Sequence, residues 1–401
     1  MKRYYLLLLT IAMATVVNAQ HLQDEFSYRR SSLYSILVCH SEDKFHKEIT
    51  DEFLKVPIPD KYNDFDLNVK VVNVSRKDKY TDAITDFVDR NNIGSRLVAR
   101  WFNRNILTGE CDMELVKLRG LYDASAFDYE LASRTPRGLA MLQDAGEDLI
   151  ANTFLLVNEI TYIDKAEGAK TAATVLSILG GVVGAATGMD YVSDLGNTAA
   201  SMVATIKGFR VKIHSRLYQL DWNDAIANEF YEFYYSDLPD EQKKMAFENN
   251  RGNFKMKYVG DVVSKGSLTS FLGINEDQPE LMIRKACQRA IDENIVDLQK
   301  KYNQFKVKAP VISTSPTITA PIGMKEGVTS ASRFEVLEVL EKDGRIEYKK
   351  VGVVKPVPGM IWDNRFMASE EGAVGADLGA TTFIKVSGRE FYPGMLIREI
   401  E

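Results

Sequence analysis

The sequence predicts an α+β protein: an antiparallel sheet backed by helices, with an inserted glycine-rich helical hairpin, then a small C-terminal β-barrel. Three observations predict it. Between residues 20 and 305, runs with period-two alternation interleave with amphipathic helical stretches. A charge-free, glycine-rich segment separates two of the strand signals. Beyond residue 324 only short strand signals and turn residues remain, about 75 residues that fit a barrel.

Taken in order, the first 19 residues read as an export signal. Lys2 and Arg3 precede the uncharged run Leu6–Val17, and Val17-Asn18-Ala19 supplies the small residues of a cleavage site after Ala19. The apolar run is too short to span a bilayer. Tyr34–Val38 and Leu67–Val74 follow as strands. Tyr80–Val88 is a helix, and Gly94-Ser95 opens a second, with Leu97, Val98, Trp101 and Phe102 on one face. Ser125–Leu131 and Pro136–Ile150 are helical, with Pro136 suited to a first turn. Thr153–Ile163 and Phe209–Leu220 are strands. Asn223–Tyr235 and Asp240–Asn249 are helices. Pro279–Phe305 is a long helix with Met282, Ala286, Ala290, Ile295 and Leu298 near one face. Residues 306–324, with Pro310, Pro316 and Pro321 among Ser and Thr, read as an extended linker. Residues 325–401 then form the barrel, with Asp343-Gly344 marking a hairpin.

The segment inserted at residues 168–207 carries the most unusual pattern. Thr171–Met189 holds no charge and would make a helix about 28 Å long. Gly180, Gly184 and Gly188 recur every fourth residue and share a helix face, as do Ala200 and Ala204 in the next helical stretch. Such small-residue faces let two helices approach closely. Two readings stay open: a hairpin that enters a membrane or lines a self-assembled ring, and a tightly packed hairpin in a soluble protein. The glycines lack the G-x-G-x-x-G spacing, and no Lys-Ser/Thr follows them, so they form no phosphate cradle.

Catalytic signatures are missing. The 401-residue chain has no G-x-S-x-G, H-E-x-x-H, C-x-x-C or EF-hand loop, and only four His. A net charge of −6 argues against bulk binding of nucleic acid. Cys39, Cys111 and Cys287 are an odd number at wide spacings and read as buried thiols, with one long-range disulfide left open. Cys39 and His40 are neighbours on a strand and point to opposite faces, so they do not converge on a metal. No metal or cofactor site is expected. Asp123, Asp128 and Glu130 cluster, as do Asp144, Glu147 and Asp148, and the second group, opposite Leu142 and Leu149, fits a solvated helix face. The aromatic run Phe230–Tyr235 suits either sugar stacking or packing of a helix on a sheet. In the excursion between Val357 and Thr381, Trp362 and Arg365 are the candidate partner-contact residues, against the alternative that Trp362 fills the barrel core.

Three stretches carry a resemblance: AMLQDAGEDLIANTFLLVNEITYID (140–164), the alternating strand 209–220, and MIRKACQRAIDENIVDLQKKY (282–302). With the C-terminal GMKEGVTSASRFEVLEV, EYKKVGVVKPV and GREFYPGMLIREI, this layout resembles the curli assembly/transport component and the flagellar assembly protein T. That resemblance implies an α/β domain followed by an SH3-like barrel. The chain is also similar to exported proteins of Bacteroidota. It departs from the curli component in having no lipidated cysteine and in carrying the glycine-rich hairpin.

The expected function is therefore non-enzymatic: a periplasmic or outer-membrane-associated assembly or scaffold protein. Its partners would be envelope proteins or a second copy of itself, not nucleic acid, with membrane association allowed by the hairpin. The alternative is a self-associating, membrane-inserting or pore-like protein. A carboxylate-based glycan hydrolase is third.

Overall fold

The computed structural model describes residues 31–43, 45–59, 62–64, 67, 69–74, 80–117, 149–163, 210–267, 279–306, 308–342 and 345–400. The expected signal segment, the stretch 168–207 expected as a hairpin, with Gly180, Gly184, Gly188, Ala200 and Ala204, and residues 118–148 with their acidic clusters lie outside the described residues.

The chain is α+β, built on two six-stranded sheets. The first begins with β1 (Ser31–Cys39), α1 (His46–Phe53), β2 (Tyr62–Asp64) and β3 (Val71–Asn73). Helices α2 (Tyr80–Arg90) and α3 (Ile93–Trp101) precede β4 (Thr153–Tyr162) and β5 (Arg210–Leu220). Helices α4 (Asp224–Phe233) and α5 (Glu241–Asn249), strand β6 (Met256–Ser267) and helix α6 (Pro279–Lys301) complete this unit. Strand order is β2-β1-β4-β5-β6, with β3 also on β1.

This sheet is mixed, which corrects the antiparallel expectation. β1 runs parallel to β2, β3 and β4, while β4, β5 and β6 alternate antiparallel. Parallel neighbours need long crossovers, and helices lie in the stretches between β1 and β2 and between β3 and β4. The strand expected over 67–74 is shorter, spanning Val71–Asn73 beside β1, with Lys70 O and Val74 N also bonding to β1.

Alternation sends successive side chains to opposite faces. On one face Tyr34, Ile36, Leu155 and Tyr218 pack beneath α2–α5, with Trp101, Phe102, Phe230 and Phe247 fully buried. Phe230, Tyr231, Tyr234 and Tyr235 of the aromatic run pack here, Phe230 lying 4.4 Å from Phe102 between ring centroids, while Phe233 is exposed. On the other face Leu33, Leu37, Phe154, Leu156 and Leu217 pack against α6 through Ala286, Ala290, Ile291, Ile295 and Leu298. Cys39 joins this second core, whereas the His40 ring meets Val74 O at 2.6 Å, so the two diverge.

The second sheet is antiparallel, barrel-like and nearly closed. It comprises β7 (Ala309–Pro310), β8 (Ile318–Ala320), β9 (Arg333–Lys342), β10 (Arg345–Pro356), β11 (Thr381–Gly388) and β12 (Leu396–Ile400), ordered β7-β12-β9-β10-β11-β8. The segment expected as an extended linker supplies β7 and β8 of this sheet. Val311 donates to Met395 O at 2.7 Å and Ile312 to Thr319 O at 2.8 Å, so this segment bonds toward both ends of the sheet. Pro310 is tolerated because β7 pairs through only two residues on one edge. Lys342 lies opposite Arg345, the register of a two-residue connection, although Asp343-Gly344 is itself outside the described residues.

Candidate functional site

The two sheets meet across α6, and their junction is the candidate site. Lys285, Gln288, Asp292, Asn294 and Gln299 are all buried on this helix, although they are polar. Burying such groups demands partners, and Lys285, Asn294 and Gln299 find them on the two sides of α6. Toward the first sheet, Asn294 donates to Ser215 Oγ at 2.8 Å and to Ile213 O at 3.1 Å. Ser215 in turn donates to Asn158 Oδ1 at 2.6 Å, and Asn158 donates to Ser35 Oγ at 2.9 Å. A buried polar ladder thus crosses β1, β4 and β5 and ends on α6. Gln299 bonds the buried Tyr62 hydroxyl, whose pKa is raised chiefly by burial.

Toward the barrel, Lys285 and Arg289 both pair with Glu371 in the excursion between β10 and β11. Arg289 also donates to Phe366 O at 3.0 Å. Burial, reinforced by the neighbouring Arg289 charge, pulls the Lys285 amine down to about 8. Farther along α6, the barrel approaches closely at Gly327. Its φ of +77° suits glycine, and a Cβ there would sit 2.5 Å from Val296 Cγ1. Just beyond this contact lies a cleft of about 260 Å3. Val296, Ile322, Val328, Phe334 and Ile397 supply apolar walls, with Lys300, Lys306, Glu326 and Glu399 also lining it. The Glu326 carboxylate accepts from Gly323 N at 2.7 Å and Asn364 Nδ2 at 2.8 Å; Glu399 accepts from Ser332 Oγ at 2.9 Å.

The sequence-predicted contact residues sit at the excursion's base. Trp362 is half-buried, with Nε1 donating to Ala376 O at 3.2 Å and its backbone N–H to Thr381 Oγ1 at 3.0 Å. Its carbonyl accepts from Met324 N at 2.9 Å, which ties the excursion to the turn after β8. Arg365 is exposed but grips Asp363 through two bonds of 2.8 and 2.7 Å. This fork holds the Asp363 carboxyl below the usual carboxylate range.

A second polar cluster lies on the opposite face of the first sheet. Arg216 reaches Glu159 at 3.5 Å and His214 Nδ1 at 2.9 Å. His214 Nε2 meets Asp261 at 2.6 Å, and Tyr258 donates to the same carboxylate at 2.7 Å. The tyrosine bond comes first in lowering the Asp261 pKa. Each carboxylate here has a basic side chain within ion-pair distance, an arrangement that links three strands. Among the described residues no group of three or more His, Cys, Asp or Glu could hold a metal, and no helix is long and apolar enough to cross a membrane. All three cysteines are free and buried.

No protein-family model matches the chain, and no curated protein matches it.

Sequence reasoning did not single out Lys285, Arg289, Glu371 or the cleft. The alternation of charge with Ala and Ile along 283–299 carries a signal for the helix, but not for what covers its second face.

Proposed function

We propose that the chain is a non-enzymatic, exported scaffold or assembly protein of the cell envelope, acting through protein–protein contacts. One observation carries this reading: the barrel-like unit is clamped to α6 by the Lys285–Glu371–Arg289 cluster, so both sheets form one platform. A protein that works by presenting surfaces gains from such preorganisation, because less freedom is lost on binding. The export signal supports placement in the envelope, periplasmic or outer-membrane-associated. The barrel-like sheet following a helix-backed sheet supports the finer reading of an SH3-like module on an α/β domain of the curli-component and flagellar-protein type. Crosslinking with mass spectrometry in native cells tests the proposal. It expects reproducible links from exposed lysines such as Lys355 and Lys385 to another envelope protein or a second copy. Links confined to the chain itself would overturn it. Release from membranes by carbonate fits this reading, whereas a need for detergent fits the pore-like alternative through residues 171–189.

One observation favours a second reading, a carboxylate-based glycan hydrolase: Glu326 and Glu399 come from separate segments to line one cleft. Paired carboxylates are the machinery of glycoside hydrolysis. Hydrolysis of envelope glycan that is lost in both Glu326→Gln and Glu399→Gln would support it. No hydrolysis by the parent would remove it.

A further inference from the structure

After α3 the chain makes a tight loop, Asn105–Gly109, that satisfies its own backbone. Asn105 Oδ1 accepts from Leu107 N at 2.8 Å and Thr108 N at 3.2 Å, and Gly109 N donates to Asn105 O at 2.8 Å. Beneath it, Arg104 donates to Gly109 O and Tyr234 O, both at 3.0 Å, and stacks over the Phe247 ring. This well-anchored loop displays Ile106 at 85% and Leu107 at 81% exposure. Leu238, at 68%, stands on the adjoining turn, where Asp240 N donates to Thr108 O at 3.3 Å. Exposed apolar groups on a rigid support mark an interaction surface. The knob's surroundings are acidic: Glu110 and Asp112 follow it, and Asp237 and Asp240 flank Leu238. Nearby Lys243 and Lys244 are engaged, the first with Tyr235 O and the second with Glu241.

The cleft beside α6 is a concave counterpart to this knob. Its walls are mostly apolar; of the charged groups that line it, Glu326 and Glu399 accept hydrogen bonds from Gly323, Asn364 and Ser332, whereas Lys300 and Lys306 have no carboxylate partner among the described residues. A cavity of about 150 Å3 takes a benzene ring, so a cleft of about 260 Å3 has room for a pair of aliphatic side chains. Knob and cleft also lie on opposite sides of the first sheet. The loop belongs to the helical layer over Tyr34 and Tyr218, whereas α6, which carries the barrel, covers Leu37 and Leu156.

We propose that the Ile106–Leu107 knob of one copy seats in the α6–barrel cleft of a second, joining copies head to tail. The two surfaces differ and face apart, so the contact is heterologous and repeats into a ring or an open array. The proposal extends the scaffold reading by naming one partner, and the in-cell crosslinking above tests that reading separately.

Sedimentation velocity of the mature chain over a concentration series tests it, with Leu107→Asp and Lys300→Glu as variants and thermal melts as the folding control. Both side chains are exposed, so both variants should melt like the parent. The parent should form species larger than a monomer. Each variant should need about tenfold more protein, or greater, to do so, because one now places a charge against the apolar walls and the other a like charge against the acidic rim. An equimolar mixture of the two should form a dimer and stop there, since it holds one intact knob and one intact cleft. Ile106→Asp should repeat the Leu107→Asp result. A parent that stays monomeric, variants that assemble like the parent, or a mixture that fails to pair while the parent assembles would each overturn the proposal.

Discussion

Asn294 on α6 donates its side-chain amide to the Ser215 hydroxyl, 2.8 Å away, in a region closed to solvent. The bond joins the helix that carries the barrel to the middle of the first sheet. Asn294→Ala removes that donor and the one to Ile213 O, leaving buried acceptors unpaired. Such losses cost about 1–3 kcal/mol. Urea unfolding should show a lower midpoint with an unchanged slope, whereas a variant as stable as the parent would mean that the ladder contributes nothing.

The thiols give a second prediction. Cys39, Cys111 and Cys287 are buried and free, and burial pushes the Cys287 thiol up to about 12. The thiolate is the reactive form, so the native protein should be inert to a thiol reagent and the denatured protein should react at three sites. Rapid native labelling, or fewer than three reactive thiols after denaturation without reductant, would contradict this.

Lys285 makes stability depend on pH. Its folded-state pKa of about 8 lies below the unfolded value of about 10.4. Between those values the unfolded chain holds a proton that the folded chain has released, so this group's contribution rises with pH. Lys285→Met removes the effect. The stability difference, parent minus variant, should increase from pH 8 to pH 10. A flat difference would show that Lys285 titrates normally.

Gly94 tests packing against propensity. An alanine Cβ there would lie 2.2 Å from the Phe254 carbonyl oxygen. Alanine gains up to about 1 kcal/mol of helix propensity over glycine, but overpacking costs about 1–3 kcal/mol. The obstacle is backbone and cannot swing aside, so the clash should win. Gly94→Ala should melt below the parent, and an equal or higher melting temperature would show that the carbonyl moves at little cost.

Much of the first unit was legible because its elements alternate strongly. Phe209–Leu220 and Thr153–Ile163 were bounded to within a residue, and Leu97, Val98, Trp101 and Phe102 all proved fully buried. Strand β6 was not read. Gly260 interrupts it, and a register shift between Leu217 and Tyr218 breaks its pairing with β5. The parallel placement of β1 is set by crossovers, to which alternation is blind. Residues 306–324 looked like a linker because three prolines outweighed strands of only two and three residues. The site was harder still. Glu371 lies more than eighty residues from Lys285, and nothing local marks either as the other's partner. Ile106-Leu107 did carry a signal, since an aliphatic pair inside an Asn–Gly turn has no core to enter.

The central claim is that the two sheets form one fixed platform. Spin labels at Glu248→Cys on α5 and Lys355→Cys on β10 measure it directly, because both positions are exposed and the three native cysteines are buried. The double electron–electron resonance distance distribution should be single and narrow in the parent and should broaden when Glu371→Ala opens the clamp. A broad or two-peaked distribution in the parent would contradict a rigid platform, and with it the main support for a scaffold.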